Sequence, residues 1–281
     1  MSNITKNYFR VLEVLTSLNI VPPPEKRAGR RFKMSDLEVV ALSLTAEHMS
    51  VDSENPFFGQ LQNGQVPNLI ERGQFNKRRR GLFFFAEQIR QRLCSKFTGF
   101  EDCFIVDGMP LEICKTARQN RVKICKEDFE TAPDKGFCAS QNTWFYGYKL
   151  QGVCTLGGVF HSIDITKASV HDIHLLKGLK HQMSDCVLLG DRGHLSSALQ
   201  LDLFETAGIK LETPMRTNQI GYKKQAYVFR KSRKRIETLF SQLCGQFMVR
   251  RNYAKSFQGF KTRILSKISA LTLVQFINKF I

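Results

Sequence analysis

Two stretches, Cys103-Phe104-Ile105-Val106-Asp107-Gly108 and Cys186-Val187-Leu188-Leu189-Gly190-Asp191, decide how this chain is read. Each is a short, continuous apolar run that suits a buried strand, and each reaches an acid beside a glycine. Between them, Phe145 to Val153 and Val159 to Thr166 read as strands joined at Leu156-Gly157-Gly158, a hairpin turn signal. Val170 to Met183 then reads as a helix. Beyond Asp191 the pattern predicts a helix over Leu195 to Ala207, a strand over Ile209 to Thr213 closed by Pro214, and a helix from Arg230 to Phe247. The order is β, β, β, α, β, α, β, α, an α/β domain. In open α/β sheets ligands gather beyond the carboxyl ends of strands, so Asp107 and Asp191 are expected at one edge.

Upstream of residue 98 the texture is helical, and the chain is divided into a helical region, 1–97, and an α/β region, 98–281. Ser35-Asp36-Leu37-Glu38 has capping-box spacing, and Val39, Val40, Leu42 and Leu44 suit a buried helix behind it. Phe75-Asn76-Lys77-Arg78-Arg79-Arg80 leads into Leu82, Phe83, Ala86, Ile89 and Leu93 at helical spacing, so one helix with a basic start is expected. Lys77, Arg78 and Arg79 are candidates for DNA phosphates; the alternative is a solvated helix start.

The chain has a formal net charge of +17, and between Tyr222 and Lys267 thirteen Lys and Arg surround a single acid, Glu237. Such a window suits a polyanion. A carboxylate inside it suits a cation that works on phosphates, the alternative being an i,i+4 salt bridge from Arg233 to Glu237. On the expected final helix, Ile236, Leu239, Phe240, Leu243 and Phe247 form the docking stripe, with Arg230, Arg233 and Glu237 on a neighbouring face. If Glu237 meets the two strand ends, three carboxylates can hold two divalent ions roughly 3.5 to 4 Å apart.

Other features are less directive. Eight cysteines form no CxxC pair and mostly lie in apolar runs, the pattern of buried reduced thiols. Lys6, Arg10 and Glu13 interrupt the first apolar residues, so no signal peptide is expected. The apolar stretches at Leu82 to Ala86 and Ile268 to Ile277 fall short of the roughly 20 residues a bilayer needs, so they read as core helices in a cytoplasmic protein. His171-Asp172 and His174 resemble the ligands of an HD-type phosphohydrolase, but Asp172 also suits a helix N-terminus. His194, three residues past Asp191, is either a phosphate- or water-orienting group or a plain loop histidine.

Taken in order, Ile105-Val106-Asp107-Gly108-Met109-Pro110, Tyr146-Gly147-Tyr148-Lys149-Leu150, Ala168-Ser169-Val170-His171-Asp172, Leu188-Leu189-Gly190-Asp191-Arg192-Gly193 and Arg233-Lys234-Arg235-Ile236-Glu237-Thr238-Leu239-Phe240 resemble the DDE transposases of bacterial insertion sequences. Ser53-Glu54-Asn55-Pro56-Phe57-Phe58 is similar to the helical leader of a compact subgroup. The resemblance implies an RNase H-like mixed sheet flanked by helices, preceded by an all-helical region for DNA binding and dimerisation. It places the catalytic and metal-binding triad on Asp107, Asp191 and Glu237, with Mg²⁺, or Mn²⁺ as a substitute, at two ions per site. It implies cleavage at element ends and transfer of the freed 3′-hydroxyl into target DNA, by a nucleoid-associated homodimer acting on duplex terminal repeats, with no membrane role. Lys149, Arg230, Arg233 and Lys234 become candidates for holding phosphates, and His171, Asp172 and His194 for supporting the site. Relatives with Tyr-x-x-Arg-x-x-x-Glu and a later Lys differ here, because Arg230 stands at the Tyr position and Cys244 at the Lys position. The other readings are a non-catalytic DNA-binding descendant of a transposase and a metal-dependent nuclease.

Overall fold

Ile4, Tyr8, Val11 and Leu15 recur at helical spacing and are buried along one face of α1 (Asn3–Ser17). This is the first helix of the computed structural model, which describes residues 3–24, 32–61, 65–99, 101–215, 217–218 and 221–281. Helix α2 (Asp36–His48) starts at the expected capping box: Ser35 Oγ accepts the Glu38 N–H at 3.2 Å, and Glu38 Oε2 accepts the Ser35 N–H at 2.6 Å. Val39, Val40, Ala41, Leu42 and Leu44 are buried all round it, which makes it a core helix. Next come α3 (Glu54–Leu61), α4 (Arg72–Gly81) and α5 (Phe83–Thr98).

The single basic-started helix expected from Phe75 onward is instead this pair, broken at Leu82, which caps α4. Arg78, Arg79 and Arg80 therefore occupy the last turn of α4, where positive charge complements the macrodipole, rather than a helix start. Phe85, Ile89 and Leu93 of α5 are buried, while Phe84 is exposed.

The second half of the chain forms a six-stranded mixed sheet. Strand β1 (Cys103–Cys114) pairs antiparallel with β3 (Thr143–Thr155), whose other edge is shared by β2 (Asp134–Cys138) and β4 (Phe160–Lys167). Helix α6 (Ile173–Leu179) leads to β5 (Val187–Leu189), which pairs parallel to β1; α7 (Ser197–Ala207) leads to β6 (Lys210–Glu212), parallel to β5. Helix α8 (Tyr227–Gly245) follows. An antiparallel meander extended by two parallel strands on its first strand, with helices flanking it, is the RNase H-like sheet expected from the sequence. Two details differ. Strand β2 was not anticipated, and β1 does not stop at Asp107 but runs on because β3 continues to pair with it through Cys114.

Alternation along β1 assigns the helices to faces. Phe104, Val106 and Val153 share a core with Leu175, Leu176 and Leu179 of α6 and Leu199 and Leu203 of α7. The opposite face carries Ile105, Asp107 and Gly152, and α8 lies there. A Cβ built on Gly152 would come within 2.8 Å of the Phe160 ring and 3.9 Å of Phe240, and those two rings stand 6.0 Å apart. Glycine opposite Asp107 is what admits the aromatic contact to α8.

The final helix, α9 (Phe257–Phe280), is buried from Thr262 to Leu273 on every side and packs against α2 and α4. By backbone contacts, residues 243–281 gather with 1–96 into one unit, and 97–242 form the other. The division read from the sequence places 243–281 in the second region; a helix apolar all round needs cover on several sides, and α2 supplies part of it. Among the described residues no helix is long and apolar enough to cross a membrane.

Inside the first unit, Lys267 Nζ donates to Glu47 Oε2 at 2.5 Å with both side chains at most 4% exposed, and the Ser43 and Ser266 hydroxyls meet at 3.2 Å. Lys267→Met leaves the Glu47 carboxylate buried and unpaired, so it should lower unfolding free energy by about 3–5 kcal/mol, whereas adding Glu47→Leu should restore most of that loss. Urea denaturation of the two variants beside the wild type checks this; equal stability of all three would show that the pair does not hold α2 to α9.

Candidate active site

The parallel register Cys103↔Val187, Phe104↔Leu188, Ile105↔Leu189 sets the site. Asp107 and Asp191 each lie two residues beyond the last of these pairs, so alternation brings both to the same side at the same level. Asp107 is half-buried inside β1, and its Oδ1 accepts the Gly108 N–H at 2.8 Å. Asp191 caps the short turn that follows β5: its Oδ1 accepts the Gly193 N–H at 2.8 Å and His194 Nδ1–H at 2.6 Å. His194 is buried. A Cβ on Gly190 would come within 3.2 Å of the His194 Cβ, so the glycine before Asp191 makes room for the imidazole.

Burial pushes the Asp107 carboxyl up to about 6, and the neighbouring Asp191 charge adds to that, against the Gly108 N–H, His194 and Arg233. Burial also acts on Asp191, but the His194 hydrogen bond and charge, the Gly193 N–H and Arg233 outweigh it and hold that carboxyl below the usual range. Two adjacent acids are thus pushed in opposite directions. Arg233 reaches the pair from α8, where Ile236, Leu239 and Phe240 are buried, and its Nε is buried without a hydrogen-bond partner.

Glu237 is not gathered with them. It is exposed on α8, one turn beyond Arg233, and the structure shows no Arg233–Glu237 ion pair. Among the described residues no group of three or more His, Cys, Asp and Glu is placed to hold a metal. The two aspartates alone are hard oxygen donors beside each other, a set that fits a divalent cation such as Mg²⁺.

The remaining expected residues separate into three groups. Lys149 donates to the Val170 carbonyl at 2.8 Å and to Asp172 Oδ1 at 3.0 Å. A Cβ on Gly108 would lie 3.9 Å from Asp172 Oδ1, so this pair is on the face opposite Asp107. Asp172 makes no side-chain cap for α6, and His171 and His174 are exposed near it. Arg230, Lys234 and Lys77 are exposed. Arg78, expected on DNA, is instead committed inside the protein, donating to Met34 O and, at 2.5 Å, to Asp36; Arg79, also expected on DNA, is buried and bonds Glu54 at 2.7 Å through Nη2. The acids that claim them lie 25 or more residues away in sequence. What the sequence reading missed are the backbone donors of Gly108 and Gly193, for which the Asp-Gly and Asp-Arg-Gly turns were the available signal.

A family model described as Transposase DDE domain matches residues 98–273. No curated protein matches the chain. Among solved structures, the "Mos1 transposase paired-end complex with left transposon end" is 14% identical over 94% of this chain and 86% of that one, with a TM-score of 0.24, too low to carry an argument.

The Asp107 carboxyl sits near 6 in the folded chain against about 3.9 in an unfolded one. Between those values the folded chain holds a proton that the unfolded chain has released. Stability linked to Asp107 is therefore complete below pH 4 and is lost as pH rises through 6, by about 2–3 kcal/mol. With divalent ions chelated, Asp107→Asn should gain stability over the wild type by that amount between pH 4 and 7 in denaturation curves; a constant difference across the range would refute the buried, raised carboxyl.

Proposed function

The chain belongs to the Transposase DDE domain family, and from that premise we propose that it is the transposase of an insertion sequence, cutting DNA at the element's ends and joining the freed 3′-hydroxyl to target DNA. The observation that carries this reading is the carboxylate pair Asp107 and Asp191, aligned by two adjacent parallel strands and half-buried beside Arg233. Family members are DNA-cleaving enzymes that use divalent metal ions. Asp107 and Asp191 are the proposed ligands here, with Glu237 as the third, supported by its place one turn from Arg233 on the helix that faces the pair. Bound Mg²⁺, or Mn²⁺ in its place, would supply Lewis-acid activation of the attacking oxygen and charge stabilisation of the leaving one, in a two-ion arrangement.

This chain's own residues do the rest. The sheet register holds the two aspartates fixed before substrate arrives, so little reorganisation is needed. His194 and the Gly193 N–H occupy one oxygen of Asp191, which orients the carboxylate and keeps it ionised. Arg233 places a guanidinium beside the pair, where a phosphodiester's non-bridging oxygens can accept from it; Arg230 and Lys234 extend that charge along α8. The partner is duplex DNA, the terminal repeats and the target, which implies work on the nucleoid. Two ends held together imply a homodimer.

The test uses a plasmid carrying the gene and its native flanks, incubated with the protein and Mg²⁺ or Mn²⁺, with every new 3′ end mapped. Cleavage at the repeat boundaries should fall by about a hundredfold or more in Asp107→Asn, Asp191→Asn and Glu237→Gln, since even changes around a metal ligand cost 10–100-fold. Duplex binding should stay within a few-fold. Cleavage that survives in all three variants, or binding without any cleavage by the wild type, would overturn the proposal; survival in Glu237→Gln alone would reduce the ligand set to the aspartate pair.

A further inference from the structure

We propose that the first unit carries a phosphate-binding pocket at the N-terminus of α9, separate from the carboxylate site. The cavity, of about 330 Å³, is lined by five basic side chains, Arg72, Arg79, Arg80, Lys255 and Arg263, against two acidic ones. Both acids already have partners. Glu54 accepts from Arg79 at 2.7 Å and also from Asn76, and Asp52 accepts from the Tyr253 hydroxyl at 3.0 Å. The excess charge facing the cavity is positive.

Three further features point to an anion. The 24-residue helix α9 opens into the cavity with Ser256 as its cap, its Oγ accepting the Gly259 N–H at 3.2 Å, and a helix N-terminus carries partial positive charge. Arg79 and Arg263 line the same cavity although each is more than nine-tenths buried, and the Nε of each has no hydrogen-bond partner. Each uses only its Nη2 in hydrogen bonds, Arg79 to Glu54 and Asn76 and Arg263 to the Asp52 carbonyl at 3.2 Å, so the Nη1 groups are uncommitted. Two guanidiniums nine-tenths buried at one cavity keep Nη1 donors to spare, and a phosphate offers several acceptors at once. Arg72, Arg80 and Lys255 are exposed at the rim and can close on it.

The ligand is a phosphate group, either one phosphate of a DNA backbone or a free phosphate anion. Calorimetric titration with inorganic phosphate, at ionic strength matched with chloride, should give saturable binding to the full-length wild type. Arg80→Gln/Lys255→Gln, both exposed and so harmless to folding, should bind about tenfold more weakly, the loss expected for charge-assisted hydrogen bonds. Arg263→Gln, checked for folding by circular dichroism, should weaken it further. If phosphate then displaces a duplex from the wild type beyond the chloride control, the source is the DNA backbone. If it binds without displacing duplex, the source is a free anion. Heats no different from those with chloride, or equal phosphate affinity in the wild type and the double variant, would overturn the pocket.

Discussion

The parallel pairing of β1 with β5 is the constraint on which the site depends. Those strands are joined by no short connection: β3, β4 and α6 intervene, so the pairing is non-local and is held by the core that α6 and α7 build beneath it. A slip of one residue in that register would turn Asp191 to the α6 and α7 face while leaving Asp107 on the other. Apolar residues on both faces oppose the slip, because Leu188 packs with the helices while Ile105 and Leu189 are buried on the opposite side. The hydrophobic pattern of the strands thus does the positioning, and the carboxylates are passengers on it.

That arrangement is electrostatically costly when no cation is bound, and the protein offsets only part of the cost. Asp191 receives the better treatment, with a backbone N–H and an imidazole; Asp107 has a single backbone N–H and deeper burial, and its carboxyl rises accordingly. Had both acids been fully compensated by protein donors, a divalent ion would gain little by binding. The inequality leaves one carboxylate oriented and ionised and the other in want of positive charge. Arg233 supplies some of that charge from α8.

How far the site could be read from the chain follows from the range of the interactions involved. The capping box at Ser35, the two apolar runs that lead to Asp107 and Asp191 and the apolar stripe of α8 are local patterns with a period or a turn residue, and the structure contains each of them. Strand β2 escaped notice because Asp134-Lys135-Gly136-Phe137-Cys138 has little apolar alternation and exists by pairing with β3. The ion pairs of Arg78 and Arg79 are not legible locally because their acids, Asp36 and Glu54, are distant in sequence, and chain order alone places α9 with the region it follows although it packs against α2. The face that Lys149 takes is hidden for a different reason: strand alternation puts it opposite Asp107, but only once the register with β1 is known.

A strongly basic composition is therefore a poor map of a nucleic-acid surface. Of the thirteen Lys and Arg between Tyr222 and Lys267, Lys267 is spent on a buried ion pair and Arg263 is enclosed at the α9 cavity, while Arg235 folds its aliphatic stem over Gly158. What remains open on α8 is a shorter row, Arg230, Lys231 and Lys234, with Arg233 turned inward toward the acids. Residues three and four apart are neighbours on a helix surface, so Arg230 and Lys234 lie together in the open row while Arg233 lies at its inner border. The division of labour is set by the helix period: the same stripe of Ile236, Leu239 and Phe240 that docks α8 on the sheet decides which cations are buried, which are exposed, and which one reaches the aspartates.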